Sequence, residues 1–600
     1  MSEPDQVKYA TLLGDWLAEL GYTHCFMVAG GGCMHLIDGF RHKFTVIPVV
    51  HEVTAGIAAE HFNECSESGK AFALVTSGPG LTNVVTAIAG CYTEHRELLV
   101  IVGQVKSTDL RVPPLRQRGV QEIDGTALVG SIALTAACLK APRSRAEFQA
   151  MVRSGWGPHP GPVVIEVCLD VQGAQVSRRA YEAGPRPATV AEAPVEALAS
   201  KLAAELSAAK RPLLLFGGLL SRPVAWAALP ELVRVGIPVA TTTSAIDRVP
   251  SDAPIYAGRP STWGGQRAAN LIIAQADVIV ALGAQLDLQQ TGFNWREYAP
   301  NARLIQVFPA AEELAKGHPV LAGAVDAGPD RVFQALLPRL TWRDAAQWGD
   351  YVRRVRRLVP TIDPANTNRP EYISPFVLLR NLSLATKPDD VLALCSSGGT
   401  FTGALQTYEV AARQYATVSP AFASMGYGLA TAIGAALARP GRRVILTEGD
   451  GGFAQNLQEL ALVRRRNLPV KIFISENHGY GSIRATQRKF FNGAYVGCDE
   501  ETGLGFPDWV VLFEAYGIPA RRLAPGENSP ETLARLMEPP GPAAWIVPVD
   551  PEQSNWPAVS SRILPDGKMI SNPLYQMLPP LPPEVAAQVS QYLPAGPGKA

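Results

Sequence analysis

The chain has no net charge, no paired cysteine motif and no segment typical of a secretion signal. Lys and Arg together number 54, Asp and Glu also number 54, and the formal net charge is zero. This balance gives no electrostatic reason to expect nucleic acid or an anionic membrane as a partner, and neither is predicted. The 8 cysteines include no Cys-x-x-Cys pair, which favours free thiols in a reducing compartment over disulfides or a zinc site.

The sequence also lacks a convincing membrane segment. The N-terminus, MSEPDQVKYA, has no basic start followed by an apolar run, so no signal peptide is predicted. Residues 415–438 carry no formal charge and are long enough to cross a bilayer, but they contain Pro420 and several Ser, Thr and Gly residues. A buried loop and helix is the preferred interpretation, and the protein is predicted to be soluble and cytoplasmic.

Length and patterning describe a globular protein of several domains. A chain of 600 residues exceeds the about 250–300 residues that one hydrophobic core usually holds, so about three domains are expected. Hydrophobic residues make up 47% and the mean hydropathy is +0.06, which argues against disorder. Short apolar strands alternate with helical segments, as in parallel sheets with crossover helices. The predicted fold class is α/β, with three consecutive doubly wound parallel-sheet domains.

The three predicted domains are residues 1–180, 190–345 and 365–555, here called the first, middle and third blocks. A Pro-rich and mostly irregular tail is predicted for residues 556–600. The first and third blocks resemble each other, since residues 73–89 read ALVTSGPGLTNVVTAIA and residues 444–461 read VILTEGDGGFAQNLQELA. Similarity between two βα units also arises by chance, so the likeness only suggests two copies of one fold around a different middle domain.

The most specific motif is a glycine-rich turn, residues 449–452, that directly follows an apolar strand. A helix begins at this turn, so backbone N–H groups converge where phosphate oxygens are favoured. Asp450 supplies an anionic oxygen, and Asn477, 27 positions later and after a second strand, can supply an amide oxygen. With the Gly479 carbonyl and phosphate oxygens, these form the ligand set that Mg²⁺ prefers. An isolated Gly-Asp-Gly is usually an ordinary capping turn, but the matching Asn favours a cofactor site.

Residues 449–481, GDGGFAQNLQELALVRRRNLPVKIFISENHGYG, resemble the thiamine-diphosphate motif of the acetolactate synthase and pyruvate decarboxylase-like superfamily. The resemblance covers nearly the whole chain, and the three blocks correspond to the pyrimidine-binding, central and diphosphate-binding domains. It implies that Mg²⁺ is bound by Asp450, Asn477 and the Gly479 carbonyl. It also implies cofactor contacts from a larger set of residues: Ser397, Gly398, Gly399, Thr400, Met425, Gly449, Gly451, Gly452, Tyr480 and Gly481.

Two residues of the first block are implied to act in catalysis. Alone, Glu52 is interpreted as a first-turn glutamate favoured by the helix dipole. The resemblance instead places Glu52 at the family's activating glutamate, which hydrogen-bonds the pyrimidine ring so that the cofactor's amine can remove the thiazolium C2 proton. Gln121 aligns with a family glutamine that reaches the reacting centre. Met425 matches the bulky residue that holds the cofactor bent, although core packing would explain it equally well.

Five residues are candidates for substrate contacts. Gly31 and Gly32 either bring the backbone close to a substrate or form a flexible turn. His35 is as readily a structural histidine as a proton-transfer group. Ile483 follows the cofactor motif, and Thr486 stands where acetolactate synthases carry a specificity-setting Trp. The smaller Thr leaves space for a larger acceptor.

Other segments depart from the synthases. Residues 283–292 resemble their flavin-contacting segment, but Gln285 and Gln289 replace two arginines. FAD is therefore a weaker expectation than thiamine diphosphate and Mg²⁺. The segment GGGCMHLID and the ending DPEQSNWPAVSSRILPDGKMISNPL look more like carboligases of sugar biosynthesis and secondary metabolism, which attach a two-carbon branch from pyruvate to a keto-sugar.

The resemblance implies a thiamine-diphosphate- and Mg²⁺-dependent carboligase. It would decarboxylate a 2-oxo acid, most simply pyruvate, and add the two-carbon unit to an aldehyde or ketone acceptor. The alternatives are an acetolactate synthase, a simple 2-oxo acid decarboxylase, or a non-catalytic binding or regulatory subunit. Because Glu52 and Asp450 lie in different blocks, the cofactor should bridge two domains. In the family those domains belong to different subunits, so a homodimer or homotetramer is implied.

Overall fold

The computed structural model describes residues 5–182, 194–318, 321–342, 345–366 and 369–594. It contains three six-stranded sheets, one in each block, and their neighbouring strands are parallel. The central strands are apolar and buried along their whole length, as expected where helices cover both faces of a sheet. The predicted fold class of three consecutive α/β domains is confirmed.

The first sheet contains, from edge to edge, Thr45–Pro48, Tyr22–Met27, Lys70–Thr76, Leu98–Gln104, Pro162–Cys168 and Thr135–Leu139. Its block has the helices Tyr9–Glu19, Met34–Phe40, Glu52–Cys65, Pro79–Glu94, Gly125–Val129, Arg145–Arg153, Leu169–Gly173 and Arg178–Glu182. A short antiparallel pair, Gln6–Lys8 with Gln175–Ser177, joins the two ends of the block.

The middle sheet contains, from edge to edge, Tyr256–Gly258, Val239–Thr241, Pro212–Phe216, Val278–Leu282, Arg303–Phe308 and Leu321–Asp326. Its helices are Glu196–Ala208, Arg222–Val235, Arg267–Gln275, Leu288–Thr291, Ala311–Leu314, Pro329–Leu336 and Ala345–Leu358.

The third sheet contains, from edge to edge, Tyr415–Thr417, Val391–Leu394, Val444–Gly449, Val470–Glu476, Ala543–Pro548 and Ala520–Arg522. Its helices are Pro375–Ala385, Gly398–Thr407, Tyr427–Ala438, Asp450–Phe453, Leu460–Arg465, Gly481–Phe491, Trp509–Ala515 and Pro530–Met537. Short 3₁₀ helices across the chain are Gly31–Cys33, Ser107–Asp109, Thr243–Ala245, Trp295–Glu297, Leu337–Arg339, Pro364–Asn366, Leu457–Glu459 and Pro525–Glu527.

The first and third blocks share one strand order, and the middle block has a different one. Numbered within each block, the first and third sheets both have the order 2-1-3-4-6-5, whereas the middle sheet has 3-2-1-4-5-6. The predicted likeness of the first and third blocks is therefore a shared topology around a different middle domain.

The first and third blocks pack through one pair of small-residue helices. Helix Tyr427–Ala438 lies against helix Glu52–Cys65, and both contribute to one hydrophobic core. A Cβ on Gly434 would lie 2.3 Å from the carbonyl oxygen of Ala58, so the close approach requires glycine there. The uncharged stretch 415–438 forms an edge strand, a loop and this helix of 12 residues. No helix among the described residues is long and apolar enough to cross a membrane.

The tail is more ordered than predicted. It forms the short strands Ala558–Val559, Ser561–Ile563, Met569–Ser571 and Met577–Leu578 and the helix Pro583–Val589. It also returns to the middle block, where Leu574 and Val589 join the core and the Gln275 amide donates to the Val589 carbonyl at 3.0 Å. Proline content alone did not reveal this packing, because the apolar contacts are with residues distant in sequence.

Candidate functional site

A cavity of about 280 Å³ opens beside the third sheet. Segments that directly follow the strands Val391–Leu394, Val444–Gly449, Val470–Glu476 and Ala543–Pro548 line it. The first two of these strands are neighbours at the point where the strand order reverses, and ligands of open α/β sheets bind at the carboxyl ends of strands at this point.

Every cofactor residue predicted in the third block lies on the wall of this one cavity. These residues are Ser397, Gly398, Gly399, Thr400, Met425, Gly449, Asp450, Gly451, Gly452, Asn477, Gly479, Tyr480 and Gly481. Ile483, predicted to contact substrate, lines it as well.

Asp450 presents a buried carboxylate at the glycine-rich turn. Its Oδ1 accepts the Gly451 N–H at 2.8 Å, and its Oδ2 accepts the N–H groups of Asn477 at 2.9 Å and His478 at 2.8 Å. Burial raises the pKa of Asp450 to about 6, although these backbone hydrogen bonds favour the charged form. A nearby cation would favour that charged form further.

Asn477 supplies a second oxygen that lacks a partner. Its Oδ1 is buried and accepts no hydrogen bond within the described chain, which is costly unless a ligand completes it. A Cβ on Gly481 would lie 2.5 Å from Asn477 Nδ2, and a Cβ on Gly479 would lie 2.1 Å from the Cys498 carbonyl oxygen. Both glycines are therefore required by the close packing of this loop.

These groups fit a magnesium ion that is shared with a phosphate ligand. Among the described residues no group of three or more His, Cys, Asp or Glu side chains could hold a metal. The site instead combines one carboxylate, one amide oxygen and the Gly479 carbonyl. Mg²⁺ accepts such hard oxygen ligands and takes its remaining ligands from water and substrate phosphates.

The same cavity suits the phosphates themselves. Helices Gly398–Thr407, Tyr427–Ala438 and Gly481–Phe491 begin at residues lining or adjoining it, and none has a side-chain hydrogen bond at its N-cap. Their first backbone N–H groups and their dipoles favour an anion. The residues present therefore fit both thiamine diphosphate and its metal.

Met425 lies at the rim of the cavity with 38% of its surface exposed. It precedes Gly426, whose φ of 83° is the left-handed region that favours glycine. The turn places Met425 directly before the helix that packs on the first block.

Glu52 does not meet this cavity within one chain. It begins helix Glu52–Cys65 and is half-buried, and its Oε2 accepts the side-chain N–H of Asn83 at 2.9 Å. The preceding loop is tied to the third block, because Glu459 accepts the N–H groups of Val50 and His51 at 3.0 and 2.9 Å. All residues lining the cavity belong to the third block or to the segment that follows it.

The remaining candidates of the first block are also outside the cavity of their own chain. Gln121 has a φ of 59° and an exposed side chain, and its carbonyl accepts the Ser77 hydroxyl at 3.1 Å. Gly31 is exposed, whereas a Cβ on Gly32 would lie 2.9 Å from the Gly103 carbonyl oxygen. His35 Nε2 would lie 3.0 Å from a Cβ on Gly173, so His35 packs within its own block.

Thr486 lies one helical turn from the cavity. Its side chain is exposed, and its hydroxyl donates to the Ser482 carbonyl at 3.0 Å. It does not line the cavity directly, whereas Ile483, three residues earlier, does.

Several lining residues were missed by the sequence interpretation. Glu448 is buried, its Oε2 has no hydrogen-bond partner among the residues that the structure describes, and burial raises its pKa to about 8. Its position directly before Gly449 was a signal that could have identified it. Gln553 and Asn555, from the segment after the last strand, also line the cavity; the segment that contains them was noted for its resemblance to carboligases, but neither residue was singled out.

The crevice beside the predicted flavin-contacting segment is too small to hold FAD by itself. The crevice lined by Gln285 and Gln289 has a volume of about 30 Å³, far below the about 300 Å³ of the smallest usual ligand pockets. Its lining contains Glu94 and Asp287 but no Lys or Arg among the described residues. A neighbouring cavity of about 1190 Å³ shares Glu94, Gly218 and Ser244 with this crevice, and its lining includes Arg96 and Arg222. The crevice alone therefore does not fit FAD.

Comparisons with known proteins agree with this arrangement. Three family models match: the thiamine pyrophosphate enzyme N-terminal TPP binding domain over residues 7–128, the central domain over 199–336 and the C-terminal TPP binding domain over 397–547. The chain is 29% identical over 560 residues to acetolactate synthase isozyme 2 large subunit of Escherichia coli, covering 90% of this chain and 95% of that protein.

Two further relatives come from distant organisms. The probable acetolactate synthase large subunit of Methanocaldococcus jannaschii is 29% identical over 553 residues, with 88% of this chain and 90% of that protein covered. The chloroplastic acetolactate synthase 1 of Zea mays is 27% identical over 594 residues, with 93% and 88% covered. The similarity thus extends over all three blocks.

Proposed function

Because the chain is a thiamine-diphosphate-dependent enzyme of the acetolactate synthase-like superfamily, we propose that it is a carboligase acting on a 2-oxo acid. The proposed donor is pyruvate, which loses CO₂, and the remaining two-carbon unit is added to an aldehyde or ketone acceptor such as a keto-sugar. Bound thiamine diphosphate would supply the electron sink for the pair of electrons that stays on the substrate carbon when CO₂ leaves.

The arrangement that most supports this proposal is the pair of oxygens on Asp450 and Asn477. Both border a cavity where helices begin without side-chain caps. In the proposal, Asp450, Asn477 and the Gly479 carbonyl hold Mg²⁺, while backbone N–H groups of Gly451 and Gly452 bind the diphosphate. Met425 supports the bent cofactor from the rim.

The proposed catalytic glutamate comes from a second copy of the chain. Glu52 is held by Asn83 but lies outside its own chain's cavity. The first and third blocks share one topology and pack through the helices that begin at Glu52 and Tyr427. In the proposal, a twofold axis places the Glu52 of one copy against the cavity of the other, and the symmetry makes the two sites alike. Each Glu52 would then hold a proton close to the cofactor's pyrimidine.

The acceptor is proposed to be larger than a 2-oxo acid. The support is Thr486, which replaces a bulky indole near the rim beside Ile483. In the proposal, an acceptor passes Ile483 and has more room near Thr486 than it would have beside an indole. Gln121 is proposed to reach the same reacting centre from the second copy.

Release of CO₂ from pyruvate, measured with Mg²⁺ and thiamine diphosphate and with or without acceptors, tests the proposal. A carboligase should release CO₂ slowly alone and faster with a keto-sugar or aldehyde, and the coupled product should appear by mass spectrometry. Fast release without acceptor would identify a decarboxylase, and acetolactate as the main product would identify an acetolactate synthase. No release from any 2-oxo acid would contradict the proposal.

A further inference from the structure

The segment that follows the last strand of the third block forms one wall of the cofactor cavity. This segment, residues 550–556, is here called the wall segment. Gln553 and Asn555 of the wall segment line the cavity together with Val549 directly before it. The wall segment is also where the chain leaves the third block for the middle block.

The wall segment is held in place at both of its ends. At its C-terminal end, the fully buried Asn366 donates to the Trp556 carbonyl and accepts the Trp556 N–H at 3.4 Å. Gln406 donates to the same carbonyl at 3.2 Å. At its N-terminal end, Arg484 donates to the Pro551 carbonyl at 3.0 Å and to the Asn477 carbonyl at 3.3 Å. The backbone that carries Asn555 is thus held in a fixed position relative to the loop that carries Asn477.

The side chain of Asn555 has no partner of its own. It is half-buried and makes no hydrogen bond with any residue that the structure describes. Its Oδ1 and Nδ2 would lie 3.6 and 3.7 Å from a Cβ on Gly399. The amide therefore lies beside the first residues of helix Gly398–Thr407, where the backbone N–H groups have no side-chain cap.

The Asn555 side chain lies at the end of the cavity where a phosphate group would be favoured. Thr400 Oγ1 would lie 3.8 Å from a Cβ on Gly449, so the start of helix Gly398–Thr407 adjoins the glycine-rich turn that carries Asp450. An amide N–H beside uncapped backbone N–H groups adds a further hydrogen-bond donor for an anion.

We propose that Asn555 is a further cofactor-binding residue whose side-chain amide donates a hydrogen bond to the diphosphate. The inference rests on the proposed function, because it takes thiamine diphosphate as the ligand. The neutral amide of Asn555 would add affinity without adding charge. Because the backbone of the wall segment is already held, less entropy is lost on binding. The wall segment would then connect cofactor binding with the tail that packs on the middle block.

Titration of the full-length protein with thiamine diphosphate tests this role. With saturating Mg²⁺, the dissociation constant is measured by tryptophan fluorescence or calorimetry for wild type, Asn555→Ala and Asn555→Asp. Loss of one hydrogen bond to a charged group predicts about tenfold weaker binding for Asn555→Ala. Asn555→Asp should bind more weakly still, because a carboxylate would face the phosphates.

The exposed tail residue Gln588 provides a matched control. Gln588→Ala also removes a side-chain amide, but one that bonds only within its own helix, and it should bind the cofactor as wild type does. Because Asn555 makes no hydrogen bond within the described chain, its variants should keep the wild-type circular dichroism spectrum and melting temperature.

The possible outcomes separate this inference from the proposed function. If wild type binds the cofactor and both Asn555 variants bind equally well, Asn555 has no such role. An unchanged dissociation constant with a raised KM for the 2-oxo acid would assign Asn555 to the substrate and overturn the inference. If wild type itself binds no thiamine diphosphate, the proposed function fails and the inference with it.

Discussion

The buried carboxylate of Asp450 accepts the backbone N–H of Asn477 at 2.9 Å, while the side-chain oxygen of Asn477 has no partner in the described chain. Asp450 thus fixes the loop that carries Asn477 and leaves the amide oxygen free for a ligand. A preorganised pair of hard oxygens is favourable for Mg²⁺, because little rearrangement is needed when the ion binds.

Replacing Asn477 should separate metal binding from stability. In Asn477→Ala the unpaired buried oxygen is removed, so the cofactor-free protein should melt at the wild-type temperature or above it. Binding of thiamine diphosphate in the presence of Mg²⁺ should weaken by more than about 100-fold. Differential scanning calorimetry with and without cofactor measures both effects. A lower melting temperature together with unchanged cofactor stabilisation would contradict the assigned role.

Glu52→Gln should leave cofactor binding intact and slow turnover by about 10²–10⁴-fold, because the amide cannot share a proton with the pyrimidine. Binding is measured by titration, and turnover by CO₂ release from pyruvate. Glu196→Gln is the control, since Glu196 also begins a helix but is exposed in the middle block. Turnover of Glu52→Gln within a few-fold of wild type would refute the assignment.

Glu459 should make stability depend on pH. Burial raises the pKa of Glu459 to about 7, although the N–H groups of His51 and Val50 oppose this. The folded state therefore binds more protons than the unfolded state between the ordinary carboxyl pKa and 7. Stability from this group is present at low pH and is lost as pH rises through about 7. The Glu459→Gln substitution should remove this pH-dependent loss of stability.

The comparison for Glu459 is the melting temperature of wild type and Glu459→Gln at several pH values from 5 to 8. From pH 5 to pH 8, the melting temperature of wild type should fall by roughly 2–4 °C relative to that of Glu459→Gln. A difference that stays constant would show that Glu459 does not titrate there.

The crevice beside Gln285 and Gln289 should bind no flavin. It is small and carries Glu94 and Asp287 without a Lys or Arg in the described lining. The purified protein, incubated with excess FAD and then desalted, should show no visible flavin absorbance and the same activity as before. Retention of stoichiometric FAD would overturn this expectation and would require the crevice to join the larger neighbouring cavity, which Arg96, Arg222 and Arg248 line.

Most residues that line the cavity could be predicted because they are local in sequence. Gly449 to Gly452 and Asn477 to Gly481 each follow a strand, and neighbouring parallel strands end at the same sheet edge. The likeness between residues 73–89 and 444–461 predicted the topology that the first and third sheets share.

What the sequence did not reveal depends on contacts between distant segments. Asn555 reaches the cavity because Asn366 and Arg484 fix the wall segment, and no local pattern encodes those contacts. Within one chain Gly32 and His35 pack against their own block, and their predicted substrate contacts stay predictions, since a glycine-rich turn has the same composition whether it contacts a ligand or a neighbouring strand.

A mixing experiment tests most directly whether Glu52 and Asp450 act on one cofactor from two copies of the chain. Glu52→Gln and Asp450→Ala should each be nearly inactive as purified homo-oligomers. When the two variants are unfolded together and refolded, or co-expressed, a mixed dimer has one site with both residues intact. Random pairing then predicts about a quarter of the wild-type rate of CO₂ release from pyruvate. No recovered activity, in mixed dimers isolated through two different affinity tags, would contradict the account.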